Sequence, residues 1–108
     1  GPLSMLFPKS DRIPAALCAG GPKVCVRIPA HETARALCAA VGHASTSTSA
    51  NKSGKPPATS PHEIDLSGVA LCIDGGTLPP SQPSTIFDPD TRTILRKGAI
   101  SSESLIAF

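Results

Sequence analysis

The run Val24-Cys25-Val26-Arg27-Ile28, closed by Pro29 and followed by apolar residues at Ala34, Leu37, Cys38 and Val41, constrains the fold more than any other feature of this chain. The first run is short, alternating and β-branched, which is what a strand asks for. In the second, the spacing i, i+3, i+4, i+7 puts four side chains on one helical face, so Ala30 to Val41 predicts a helix. Gly42 stands where a left-handed C-cap residue belongs.

The reading extends in both directions along the chain. Ser4 to Phe7 predicts a short buried strand stopped by Pro8. Ile13 to Ala19 has Pro14 in its first turn and Gly20-Gly21 past its end, the asymmetry of a short helix. Ser45 to Ser49 reads as a β stretch of small residues, of a kind that lets a ligand approach the backbone closely. After the Gly/Pro-rich loop from Asn51 to Thr59, Ser60-Pro61-His62-Glu63 carries a capping box with room for only a turn or two of helix. Val69 to Asp74 predicts a strand ended by Gly75-Gly76. Ser84 to Phe87 and Arg92 to Arg96, joined by a turn at Asp88-Pro89-Asp90-Thr91, predict a hairpin. Strands and helices intermix without internal repeats, so the expected class is α/β (α+β), a twisted mixed β-sheet with flanking helices.

Composition narrows the functions open to such a fold. With 108 residues the chain is one small domain at most, and with no Trp, no Tyr and three Phe its core must come from Ala, Val, Leu and Ile. The same scarcity removes the aromatic platforms on which single-stranded nucleic acids stack. A net charge of +2 without a Lys/Arg run suits anionic ligands but does not announce nucleic acid. Cys18, Cys25, Cys38 and Cys72 form no C-x-x-C pair and are expected to be reduced, structural thiols. His31, His43 and His62 have no metal-ligand spacing, and no residue stands out as a covalent nucleophile, so neither a metal site nor a triad is expected. No apolar run reaches the ~20 residues of a membrane span, and no signal segment opens the chain, which makes the cytosol, or the mitochondrial matrix in a eukaryote, the expected compartment.

Three constellations carry chemistry. Arg27 leaves a strand just before a proline, where a stiff element would aim its guanidinium for bidentate recognition of a carboxylate; an ordinary strand-end salt bridge is the plain alternative. Ser49 and Asn51 lie two apart, hence on one side of an extended backbone, and Gly54 permits close approach. They suit a nucleotide phosphate, or else a polar turn that bonds to itself. Ser84 and Arg96 open and close the hairpin, so one turn brings a hydroxyl and a fixed positive charge together across two strands. Lys52, Lys55 and Lys97 flank these loops.

Val26-Arg27-Ile28-Pro29, Ser49-Ala50-Asn51-Lys52-Ser53-Gly54, Pro83-Ser84-Thr85 and Ile94-Leu95-Arg96-Lys97-Gly98-Ala99, in that order, resemble the C-terminal half of a YrdC-like domain, the family of threonylcarbamoyl-AMP synthases. The resemblance spans nearly the whole chain, so residues 1–108 are expected to form the C-terminal part of a single such domain. It implies an L-threonylcarbamoyladenylate synthase, a nucleotidyltransferase that makes threonylcarbamoyl-AMP and pyrophosphate from threonine, bicarbonate and ATP, with Mg2+ accompanying the ATP, for threonylcarbamoyladenosine in tRNA. By the same resemblance Arg27, Ser49 and Ser84 face threonine, while Lys23, Asn51, Thr59 and Arg96 face ATP. Partners implied are tRNA or duplex RNA and the other proteins of threonylcarbamoyl transfer, with no membrane.

The family has Gly-Pro-Leu-Thr where this chain has Gly1-Pro2-Leu3-Ser4, so these residues are read as native, and the chain as beginning inside a longer domain whose other half carries a K-x-R element for ATP. Lys23 occupies a position where the family usually has a threonine, and the segment between Thr59 and Val69 is short. Without its partner half the chain is expected to be inactive. Two alternatives stand beside the synthase. One is a YrdC-like module that binds duplex RNA or tRNA without catalysis, and the other is the carbamoyl-adenylate-forming domain of a maturation carbamoyltransferase.

Overall fold

A computed structural model describes residues 1–107 of the chain. The chain divides into two compact units: Gly1–His43 together with the segment from Gln82 onward, and Ala44–Ser81.

The first unit holds a mixed four-stranded sheet of β1 (Leu3–Pro8), β2 (Lys23–Arg27), β3 (Thr85–Asp88) and β4 (Thr93–Arg96), in the order β2-β1-β3-β4. β1 and β2 pair antiparallel, with Ser4 opposite Arg27 and Pro8 opposite Lys23. β1 and β3 pair in parallel, Leu3 opposite Thr85 and Met5 opposite Phe87. A parallel pair needs a long crossover, and here the intervening chain carries β2, helix α1 (Glu32–Val41) and the whole second unit. β3 and β4 form the expected antiparallel hairpin, with an irregularity between Ile86 and Phe87 that brings Arg96 level with Ile86. The fold class is therefore the mixed sheet with helices that the sequence predicts.

Each of the secure elements forms for the reason its residues supply. α1 begins where the His31 ring nitrogen accepts from the Ala34 amide at 3.4 Å, and it ends at Gly42, whose φ of 83° lets its amide donate back to the Cys38 carbonyl at 3.0 Å. The carboxylate of Asp88 accepts from the amides of Asp90 and Thr91, at 3.0 and 3.4 Å, and so shapes the β3–β4 turn.

Four local expectations are corrected. Ile13 to Ala19 makes only a 3-10 turn, Ala15–Cys18: Pro14 precedes it in an extended conformation and Ala19 turns left-handed at φ 49°, too soon for the first α-helical turn to propagate. Ser45 to Ser49 is not a strand; the Thr48 hydroxyl accepts from the Ala50 amide at 3.2 Å, a local bond that competes with strand pairing. Val69 to Asp74 is not a strand either, because no strand of its own unit pairs with it, and Leu71 stands 78% exposed. The capping box at Ser60 does not form. The Ser60 side chain makes no cap, while Glu63 accepts from the amide and hydroxyl of Thr59 at 2.8 and 3.2 Å, heading the 3-10 turn Pro61–Glu63. Those two bonds, the amide first, hold the Glu63 carboxyl below its ordinary value.

A last element, α2 (Ser102–Ile106), is capped by the Ser101 hydroxyl, which accepts from the Ser104 amide at 3.3 Å. It buries Leu105, the one apolar residue of the described chain that is fully buried, at 4% exposure. The other buried residues are polar: Ser4, Ser84, Thr85 and Asp88. Polar groups out of water must find partners, so these four mark where the first unit is organised. No helix among the described residues is long and apolar enough to cross a membrane.

Candidate functional site

The row of residues at one end of the sheet is polar across three strands and the approach to a fourth. Arg27 closes β2, and Ser4 lies directly opposite it on β1, so their side chains share a face. The Ser4 hydroxyl oxygen lies 2.9 Å from that of Ser84, which immediately precedes β3. Arg96, the last residue of β4, then wraps Ser84: its Nε and Nη2 donate to the Ser84 carbonyl at 3.0 and 2.8 Å, and Nη2 also donates to the Ser84 hydroxyl at 2.9 Å. Ser4 and Ser84 are 6% and 8% exposed. Arg96 thus binds the pair of buried hydroxyls from one side, while Arg27, exposed at the end of β2 with its backbone opposite Ser4, is the cation at this end whose donors suit a carboxylate.

What holds Ser84 in place is the chain after β4. Thr85 is fully buried, and its hydroxyl donates to the Ile100 carbonyl at 2.8 Å while accepting from the Ile100 amide at 3.0 Å. The Ala99 amide donates to the Pro83 carbonyl at 3.0 Å, and the Thr85 amide to that of Pro2 at 2.9 Å. Pro83, Ser84 and Thr85 are therefore locked between Pro2 and the segment from Gly98 to Ile100.

Lys23 lies on β2 at the other end, opposite Pro8. Its ammonium is held by Asp88, with Nζ 2.8 and 2.7 Å from the two carboxylate oxygens, and by Asp90 at 3.0 Å. The bond to Asp88, then that to Asp90, raises the Lys23 pKa, and the same bond to Lys23 is the largest cause of the lowered Asp88 pKa. Lys23 is thus a cation already engaged by two carboxylates.

The remaining candidates belong to the second unit. Asn51 donates its amide to the carbonyls of Lys52 and Lys55 at 3.0 and 2.9 Å, closing the loop on itself, while its side-chain oxygen is buried without a partner among the described residues. Lys52 pairs with Asp65 at 2.8 Å. These residues, with Ala58 and Glu63, line a small pocket. Ser49 precedes Ala50, whose φ of 53° turns the chain into that loop. The Thr59 hydroxyl is spent on Glu63. The first unit therefore gathers Arg27, Ser84 and Arg96 and sets Lys23 apart, and the loop of the second holds Ser49, Asn51 and Thr59.

Sequence reasoning passed over Ser4, Thr85 and Gly98 as parts of the site. Two signals point to Ser4: a hydroxyl among the apolar residues Leu3, Met5, Leu6 and Phe7, and the hydroxyl-bearing threonine that the resembled family has at this place. Thr85 and Gly98 sat inside motifs whose neighbours drew the attention. Among the described residues no group of His, Cys, Asp or Glu is placed to hold a metal ion.

Comparison with known proteins gives a consistent picture. The Sua5/YciO/YrdC family model, described as telomere recombination, matches residues 1–98. The threonylcarbamoyl-AMP synthase of Thiobacillus denitrificans is 41% identical over 89% of this chain and 52% of its own length, and that of Alkalilimnicola ehrlichii is 35% identical over 89% and 54%. The chain spans about half the length of these curated relatives. The crystal structure of Pyrococcus abyssi Sua5 complexed with L-threonine superposes with a TM-score of 0.88 at 37% identity, over 99% of this chain and 33% of that one.

Proposed function

Because the chain belongs to the Sua5/YciO/YrdC family, we propose that it supplies the threonine-recognising part of a threonylcarbamoyl-AMP synthase. The observation that carries this reading is the row Arg27, Ser4, Ser84, Arg96: two buried hydroxyls in contact, one bound by the Arg96 guanidinium, with Arg27 paired opposite Ser4 on the neighbouring strand. Arg27 offers a planar pair of N–H donors to the carboxylate of threonine, and Ser84 offers a hydroxyl; the family resemblance assigns the Ser49 hydroxyl to the same ligand. The solved relative with L-threonine supports threonine as the ligand.

In the reaction so assigned, the threonine amine and bicarbonate condense to a carbamate with loss of water. A carbamate oxygen then attacks the α-phosphorus of ATP, the bond to the β-phosphate oxygen breaks, and pyrophosphate leaves. No covalent nucleophile is needed, so the protein contributes position and charge. Arg96 meets the phosphate charge that grows as pyrophosphate departs; the family resemblance assigns Asn51 and Thr59 to the nucleotide as well, and Mg2+ belongs to the ATP substrate. Asn51, its amide committed to Lys52 and Lys55, has its oxygen left to accept from the nucleotide. Lys23 would have to leave Asp88 and Asp90 before it met a phosphate, which makes it the nucleotide contact with the least support from the geometry. The product is destined for tRNA, by way of the proteins that complete threonylcarbamoyl transfer.

Pyrophosphate release tests the reading. The polypeptide that carries this chain with the rest of the domain is expected to release pyrophosphate only when threonine and bicarbonate are both present. The 108 residues alone are expected to be inactive, since they span about half of their relatives. Release independent of threonine would overturn the assignment.

A further inference from the structure

Resting on the threonine reading above, the geometry points to Ser4 as a positioning residue that turns the Ser84 O–H toward the bound carboxylate and so makes the site reject a neutral amide. A count of donors carries the inference. Arginine has no acceptor, so the 2.9 Å contact from Arg96 Nη2 must fill one lone pair of the Ser84 hydroxyl. The Ser4 and Ser84 hydroxyl oxygens, 2.9 Å apart, share one further hydrogen bond. The three groups thus bring three hydrogens, the Nη2–H and two O–H, to two internal bonds. One O–H is left, at a place where Ser4 and Ser84 are both buried and neither hydroxyl has another partner among the described residues.

A buried donor without an acceptor is costly, and it is satisfied by a ligand that brings one. If Ser4 donates to Ser84, both Ser84 lone pairs are filled and only its hydrogen faces a ligand. Ser84 then has nothing to offer a donor. A carboxylate fits such a hydroxyl in either orientation, whereas an amide fits only with its oxygen turned to Ser84, which turns its NH2 toward the Arg27 donors where the second carboxylate oxygen would accept. Ser4 touches no substrate in this arrangement and acts only through Ser84.

The test is calorimetric titration of the domain-complete polypeptide with L-threonine and with L-threoninamide, for the wild type, Ser4→Ala and Ser4→Thr. The wild type is expected to bind threonine and discriminate strongly against the amide. Ser4→Ala, which frees a lone pair on Ser84, is expected to weaken threonine by about 10-fold and to narrow the threonine-to-amide ratio by a similar factor. Ser4→Thr, which keeps the hydroxyl, is expected to restore both. A purely structural role for Ser4 would weaken the two ligands equally, so an unchanged ratio in Ser4→Ala overturns the inference and leaves the threonine reading standing. A wild type that binds no threonine overturns that reading and the inference with it. Should Ser4→Ala not fold, Ser4→Cys, with its weaker donor, is read by the same ratio.

Discussion

Gly98 lies so close to Pro83 that a β-carbon on it would sit 2.2 Å from the Pro83 carbonyl oxygen and 2.6 Å from the backbone of Ser84 and Thr85. All three obstacles are main chain, so no side chain can swing away to relieve them. The strand that ends at Arg96 and the turn that presents Ser84 are thereby fixed at one separation, and the Arg96 bonds to Ser84 depend on it.

Gly98→Ala is accordingly expected to destabilise the fold by about 3 kcal/mol, at the upper end of overpacking costs, because the backbone itself must move. The shift of the denaturant midpoint, at constant slope, measures this. Gly54→Ala, where a β-carbon meets nothing but the φ of 80° is strained, is expected to cost less, about 1 kcal/mol.

Thr85 is the second lock. Thr85→Val keeps the shape but removes the hydroxyl that serves both the amide and the carbonyl of Ile100, leaving two part-buried backbone groups unpaired. A loss of about 2 kcal/mol is expected, with Thr85→Ser close to the wild type. Chemical denaturation of the three proteins side by side checks it; equal stability of Val and Ser would show that the hydroxyl contributes nothing.

The ion cluster at the far end of the sheet sets a pH dependence. Asp88 has a lowered pKa in the fold, so its contribution is present above the ordinary carboxylate value and is lost as pH falls through the lowered one. Lys23 has a raised pKa, so its contribution is complete below the ordinary lysine value and is lost as pH climbs through the raised one. Melting temperature is therefore expected to fall on acidification below the usual carboxylate range, and Asp88→Asn to flatten that acid limb. An acid limb unchanged in Asp88→Asn would assign it to Glu63, whose pKa is also lowered by its bonds to Thr59.

How much of this was legible in the sequence depends on whether the cause was local. β2 and α1 could be read because Val24 and Val26, or Ala34, Leu37, Cys38 and Val41, carry their periodicity within a few residues, and Gly42 ends the helix by its own backbone. Val69, Leu71 and Ile73 carry an equally good alternation, but a strand also needs a partner, and partners are not written in the segment that seeks them. α2 escaped notice because five residues with one buried leucine show no period. In the site, the charged candidates Arg27 and Arg96 were visible as residue types in motifs. Ser4 was not, since its role comes from a contact with Ser84 eighty positions away, and Gly98 acts by having no side chain at all.

If the row headed by Arg27 recognises the carboxylate of threonine, L-threoninol, which lacks that carboxylate, is a poor substitute for L-threonine. With the domain-complete polypeptide, threoninol is expected to compete poorly. Arg27→Ala is expected to weaken threonine by about 2 kcal/mol, roughly 30-fold, while leaving the weak binding of threoninol unchanged, and Arg27→Lys is expected not to restore the paired donors. Threoninol binding as well as threonine, or threonine binding untouched by Arg27→Ala, would mean that Arg27 does not hold the carboxylate.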